Sequence, residues 1–374
     1  MMAAHTVSTN GRSKRGRNGR IEILRFLFAF IVLLHHSRFL LGDDDCFFLG
    51  GSLAVEFFFI VSGYLMATSM EKKLRTGPAN DLAGETGSFI KGKIRALMPL
   101  FPISWTIGLL FVIRARRLDV SAALTLIRET VGEWTLTKMA GFNADSLDGV
   151  VWYISSMLIC MAILYPLLRS HHAMMQRVIC PLMAIVLLGI TDMISGHPRD
   201  PYKLYGYIYK GNIRAMAELS IGIWLYPRVK EFSERALSTA ARIVIEIAEF
   251  TLFGALVVYM YNNGVGEADY FYIIVMTALV GLAFSGQGIL SDILDNRASF
   301  ALGSFSSAMY FCHIYYAQNL DHILSDDIRR IPRMLIYIAV SLATAAAAHL
   351  LSGLWPSVRA LFTADTSRAK QVES

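Results

Sequence analysis

IEILRFLFAFIVLLHHSRFLL, residues 21–41, is long and apolar enough to cross a bilayer, for which about 20 residues suffice. Yet it carries Arg25 near its start and His35 and His36 deep inside. A charged side chain within such a span costs about 2.5–3.5 kcal/mol on insertion scales, so it is kept for a reason. Arg25 and His36 have ten residues between them. Eleven steps of about 100° close three turns, which puts both side chains on one stripe about 16 Å apart along the axis. His35 points about 80° away from Arg25 on the same arithmetic. The stripe therefore expects Arg25 near one membrane face and His36 past the middle, along one polar path.

Further long apolar runs follow along the chain, without an internal sequence repeat. The chain has 374 residues, 55% apolar and 17% charged, with mean hydropathy +0.47; a soluble domain carries about 25% charged residues. Apolar runs predict ten spans at 21–41, 50–70, 95–113, 150–168, 178–195, 211–227, 242–261, 269–287, 299–318 and 333–353. The fold class expected is all-α, a polytopic membrane bundle of about ten helices around a polar cavity. Residues 1–20 read as a disordered basic tail, 21–355 as one membrane domain and 356–374 as a second tail. The segments on the tail side hold about twenty Lys and Arg and the opposite loops about ten, which places both termini in the cytoplasm. The loop 114–149 runs against this bias with Arg114, Arg116 and Arg117, and is long enough to hold a surface helix. The modest basic excess lies in loops and excludes nucleic-acid binding as its purpose. Cys46, Cys160, Cys180 and Cys312 have no metal-ligand spacing, and no metal site or cleavable leader is expected.

The other candidates sit inside the predicted spans. Glu56 enters the second span from the side opposite the tail, with Ser62 and Gly63 deeper and Phe57, Phe58 and Phe59 read as packing or lipid-facing residues. Arg95 closes a basic run, Lys72 to Arg95, which serves either an anionic cytosolic ligand or topology. Arg214 and Glu218 stand at i,i+4 in the sixth span, a spacing that allows a pair on one helix face. Glu246 and Glu249 read as solvated near Arg242. His313 lies in the ninth span, with Ser306 and Tyr310 on its stripe. His36, Glu56, Arg214 and His313 fall at similar depth in four spans, which argues for one cavity. Histidine suits general-base work near neutral pH, and a carboxylate, here Glu56, is expected to orient it. Arginine offers a planar fork to phosphate or carboxylate.

These residues resemble the acyltransferase-3 family of bacterial membrane acyltransferases. Arg25 and His36 match its arginine–ten residues–histidine signature, and VEFFFIVSGYL, residues 55–65, matches its phenylalanine-rich Ser-Gly segment. KGKIRALMP matches the basic helix entry loosely, with Arg95 farther from Pro99 than in many members; WYIS and LGSFSSAMYFCH also fit. The similarity covers most of residues 20–355. It implies transfer of an acyl group, acetyl or alternatively succinyl, from cytosolic acyl-CoA to a hydroxyl of a cell-surface or lipid-linked saccharide, in a bacterial cell membrane. Acyl-CoA is then a donor substrate, with no permanently bound cofactor, and polysaccharide-synthesis proteins are candidate partners. On this reading Arg25, His36 and Glu56 are expected to carry the chemistry, and Arg95, Arg214, His313, Ser62 and Tyr310 to line the cavity. Two other readings explain buried charge: a glycan or lipid transporter, and a non-catalytic member of a synthesis complex.

Overall fold

The computed structural model describes residues 17–43, 45–142, 147–325 and 327–372, with side chains as far as Leu354. Asp44, the tail bases Arg12, Lys14 and Arg15, and the side chains of the second tail lie outside the described residues. Eleven long helices carry the fold: α1 (Gly19–His36), α2 (Ala54–Leu74), α3 (Leu82–Leu97), α4 (Leu100–Arg116), α5 (Val151–Ser170), α6 (Cys180–Ser195), α7 (Lys210–Ser233), α8 (Thr239–Asn262), α9 (Asp269–Ser285), α10 (Arg297–Asn319) and α11 (Arg330–Val372). Ten of them coincide with the ten predicted spans; α3 is the addition. Among the described residues, six helices are long and apolar enough to cross a membrane by themselves, seven if the bent pair α3–α4 counts as one. α9 is apolar but shorter. α7 and α10 do not pass, because they carry the polar side chains of the interior. One two-stranded ribbon, Leu204–Tyr205 with Ile208–Tyr209, precedes α7.

Sequence explains the helix ends. Asn18 caps α1 by accepting the Ile21 N–H at 3.1 Å, so the helix begins two residues before the predicted span. The third span starts at Leu100 rather than at residue 95. Pro99 has no N–H to give, and Met98 before it is extended (φ −90°, ψ 140°), which ends α3 and turns the chain by 48° into α4. The surface helix expected in loop 114–149 is present at Val120–Glu129.

The closest helix pairs are α2 with α7 and α1 with α10. Glycine makes the first contact possible. A Cβ on Gly63 of α2 would lie 2.1 Å from Leu219 O of α7, and a Cβ on Gly222 of α7 would lie 2.1 Å from Ile60 O of α2. Small residues let helices approach closely where no hydrophobic effect drives them together. α2 and α5 are mostly buried, while α6, α8 and α11 are mostly exposed, as lipid-facing helices are. Phe57 and Phe59 are fully buried, which settles their role as packing. At one end of α1, Arg20 is buried and bonded to both Glu246 and Glu249 of α8. Those two acids, read from sequence as solvated near Arg242, instead neutralise a cation across a helix interface. Gly63→Ala is expected to separate α2 from α7 and to cost about 1–3 kcal/mol; a fall in the unfolding temperature of the detergent-solubilised protein measures it.

Candidate active site

α1 and α10 run side by side and bring two imidazoles together. His36 Nδ1 lies 2.8 Å from His313 Nε2. His313 Nδ1 lies 3.1 Å from Met309 O. A carbonyl only accepts, so His313 Nδ1 carries the proton, and in the neutral ring Nε2 is an acceptor. His36 Nδ1–H then donates to it, and His36 Nε2 is left with a free lone pair. The His36 ring stacks on Phe39, 5.8 Å between centroids and 9° between planes, which fixes its plane. His35 faces elsewhere, donating from Nδ1 to Phe48 O at 2.9 Å.

His36 lines a pocket of about 340 Å³ together with Lys138, Trp152, Arg199, Tyr202, Arg214 and Tyr310. Arg214 is almost fully buried and held by two acids: Nε donates to Glu56 Oε2 at 2.7 Å and to Glu218 Oε1 at 3.3 Å. Its Nη2 reaches Ser52 O at 3.3 Å, and its guanidinium lies 5.4 Å from the Trp152 ring centroid. Arg199 donates to Asp269 Oδ2 at 2.7 Å, to Gly264 O at 2.6 Å and to Ser52 Oγ at 3.2 Å. Lys138 pairs with Glu133 at 3.1 Å. Glu133 also accepts the Asp148 N–H at 2.8 Å. Burial, together with the nearby Glu133 charge, holds the Asp148 carboxyl well above the usual carboxylate range.

A second pocket of about 720 Å³ opens at the other end of α1, lined by Arg17, Glu22, Arg25, Tyr64, Lys72 and Phe284 among others. Arg25 is about one-third exposed there and bonds Glu22 at 3.3 Å. Tyr64 and Phe284 stack at 3.8 Å, making a flat apolar wall beside the cations. The expected polar interior is thus present but divided. Phe58, Tyr153 and Tyr310 cluster in the interior with centroids 6.0–6.4 Å apart, and Tyr310 reaches the His313 ring at 6.1 Å.

A family profile described as an acyltransferase domain matches residues 18–352. The chain belongs to the acyltransferase-3 family. Neither a curated protein nor a solved structure matches it significantly. Membership makes the chain a membrane acyltransferase and answers the transporter and non-catalytic readings.

The family signature pair, Arg25 and His36, lines the two pockets one each rather than one cavity. His36 and His313 are brought together. Glu56, expected beside His36, bonds Arg214 instead, because α2 faces α7 at this level. The Arg214–Glu218 pair is present but includes Glu56 as a third member. Tyr310 lines the histidine pocket and donates to Val150 O at 2.8 Å. Ser62 lies deeper, 3.2 Å from Tyr153 OH. Arg95 is exposed in the last turn of α3 and lines neither pocket. Lys138 and Arg199 were not singled out from sequence: they sit in loops with no apolar period, and their only signal is two bases against the topology bias. Replacing Arg214 by Ala leaves Glu56 and Glu218 buried without a cation and is expected to cost about 3–5 kcal/mol. Glu218→Gln in the same chain should restore part of that loss, read as unfolding temperature.

Proposed function

We propose that the chain moves an acyl group, acetyl before succinyl, from cytosolic acyl-CoA to a saccharide hydroxyl on the far side of a bacterial cell membrane. Both termini lie in the cytoplasm in this reading, as the Lys and Arg bias favours. The observation that carries the proposal is the lone pair left on His36 Nε2 by the His36–His313–Met309 chain, at the wall of a polar pocket. At the cytosolic end, Arg17, Arg25 and Lys72 meet the phosphates of the donor, and the Tyr64–Phe284 wall takes its base. The pantetheine arm then runs along α1 towards His36, a distance of about 16 Å.

In the transfer step His36 Nε2 takes the proton of the acceptor hydroxyl. The hydroxyl oxygen attacks the thioester carbonyl, the C–S bond breaks, and the proton passes to the departing thiolate. His313 is a positioning residue: its donor to Met309 O fixes which His36 nitrogen is basic. A variant of the step, with the acyl group resting briefly on His36 Nε2, uses the same lone pair. Arg214 and Tyr310 line the acceptor side, and a partner from polysaccharide synthesis delivers or receives the acceptor.

His36→Ala is expected to slow acyl transfer by about 10²–10⁴-fold in nanodiscs supplied with labelled acetyl-CoA. Near-normal turnover would remove His36 from the mechanism. His313→Gln should retain partial activity with an altered pH profile, and Arg25→Ala should raise KM for the donor more than it lowers kcat.

A further inference from the structure

α6 and α9 both pack on α7 and make few contacts with each other, one being the Thr191 Oγ1–Tyr270 OH bond of 3.1 Å. They leave a groove of about 770 Å³ whose floor is Ile221 and Trp224 of α7 and whose walls include Ile185, Leu188, Ile273 and Ile274. The groove opens sideways, since Ile185 and Ile274 are about 70% exposed. Its lining on α6 runs from Pro181 to Asp192, about 16 Å of helix, or half of a bilayer core about 30 Å thick. Both walls lead to the histidine pocket. α6 ends at Ser195, and Arg199 and Tyr202 line that pocket; Val265 lines it just before α9 begins at Asp269. The Arg199–Asp269 bond, 2.7 Å, ties the two segments together at the groove's mouth.

We infer that this groove seats the hydrocarbon tail of the acceptor, which is a lipid-anchored saccharide with an uncharged neck. The inference rests on the acyl-transfer reading above and names its acceptor class. The apolar walls, at this length and facing the bilayer, match one leaflet's depth of chain. The mouth fixes the neck. Its charged groups are Asp192 and Glu267, both exposed carboxylates, and no Lys or Arg lines the groove. A phosphate there meets two exposed like charges, and the cations behind the mouth are buried and already held, Arg199 by Asp269 and Lys210 by the Ser195 hydroxyl and His197 O. Sugar or glycerol hydroxyls instead donate to both carboxylates in charge-assisted bonds. The sugar then continues past Arg199 to His36.

The test uses the full chain in nanodiscs and a diacylglycerol monoglucoside with a diazirine on one acyl chain. Photolabelling is expected on α6 and α9, competed by unlabelled glucoside and not by phosphatidylglycerol. Gly189 of α6 lines the groove, and a Cβ added there meets nothing within 4 Å. Gly189→Trp is expected to fold normally, to cut the labelling about tenfold, and to raise KM for the glycolipid but not for a water-soluble glucoside. Equal competition by phosphatidylglycerol makes the groove an ordinary lipid seat and overturns the inference, as does labelling that Gly189→Trp leaves unchanged. Labelling needs no turnover, so absent acyl transfer with intact, competable labelling counts against the acyl-transfer reading alone.

Discussion

A cation inside a low-dielectric bundle is tolerable only when carboxylates meet it, and this requirement organises the interior. Arg214 sits between Glu56 and Glu218, Arg20 between Glu246 and Glu249, Arg199 on Asp269, and Lys138 on Glu133. Three of these four joints link segments distant in sequence: α2 with α7, α1 with α8, and the segment after α6 with α9. The glycine contacts of Gly63 and Gly222 bring backbones close enough for the first joint to close. Against this background His36 and His313 stand out. They are held by a ring-to-ring bond rather than by opposite charge, with the Met309 carbonyl fixing the tautomer of both.

Much of this was legible in sequence, and the failures have a common cause. Apolar runs place helices because insertion depends on composition along one segment. Depth along a helix is legible too, which is why His36, His313, Glu56 and Arg214 were expected at one level. Azimuth between helices is not. Glu56 faces Arg214 rather than His36 because of how α2 and α7 pack, and a single segment holds no trace of that. Arg20 looked like one more base in a tail because Glu246 and Glu249 lie 226 and 229 residues away. Pro99 was visible, but the third span was begun at residue 95, about one turn before the helix that starts after it.

The loops were the least legible part and contribute much of the histidine pocket. Lys138, Arg199 and Tyr202 come from segments without periodicity. Their positions are set by partners such as Glu133, in the same loop as Lys138, and Asp269, the first residue of α9. Such loops tolerate change more readily than α1 and α10, which keep the two imidazoles in register.

The ring cluster of Phe58, Tyr153 and Tyr310 bears on a hazard any protein with water at both ends faces. A charge moved down the potential across a membrane releases about 2.3 kcal/mol per 100 mV, so an open passage would leak ions continuously. Packed aromatic rings beside the histidine pocket put a low-dielectric obstacle in the way of such a passage.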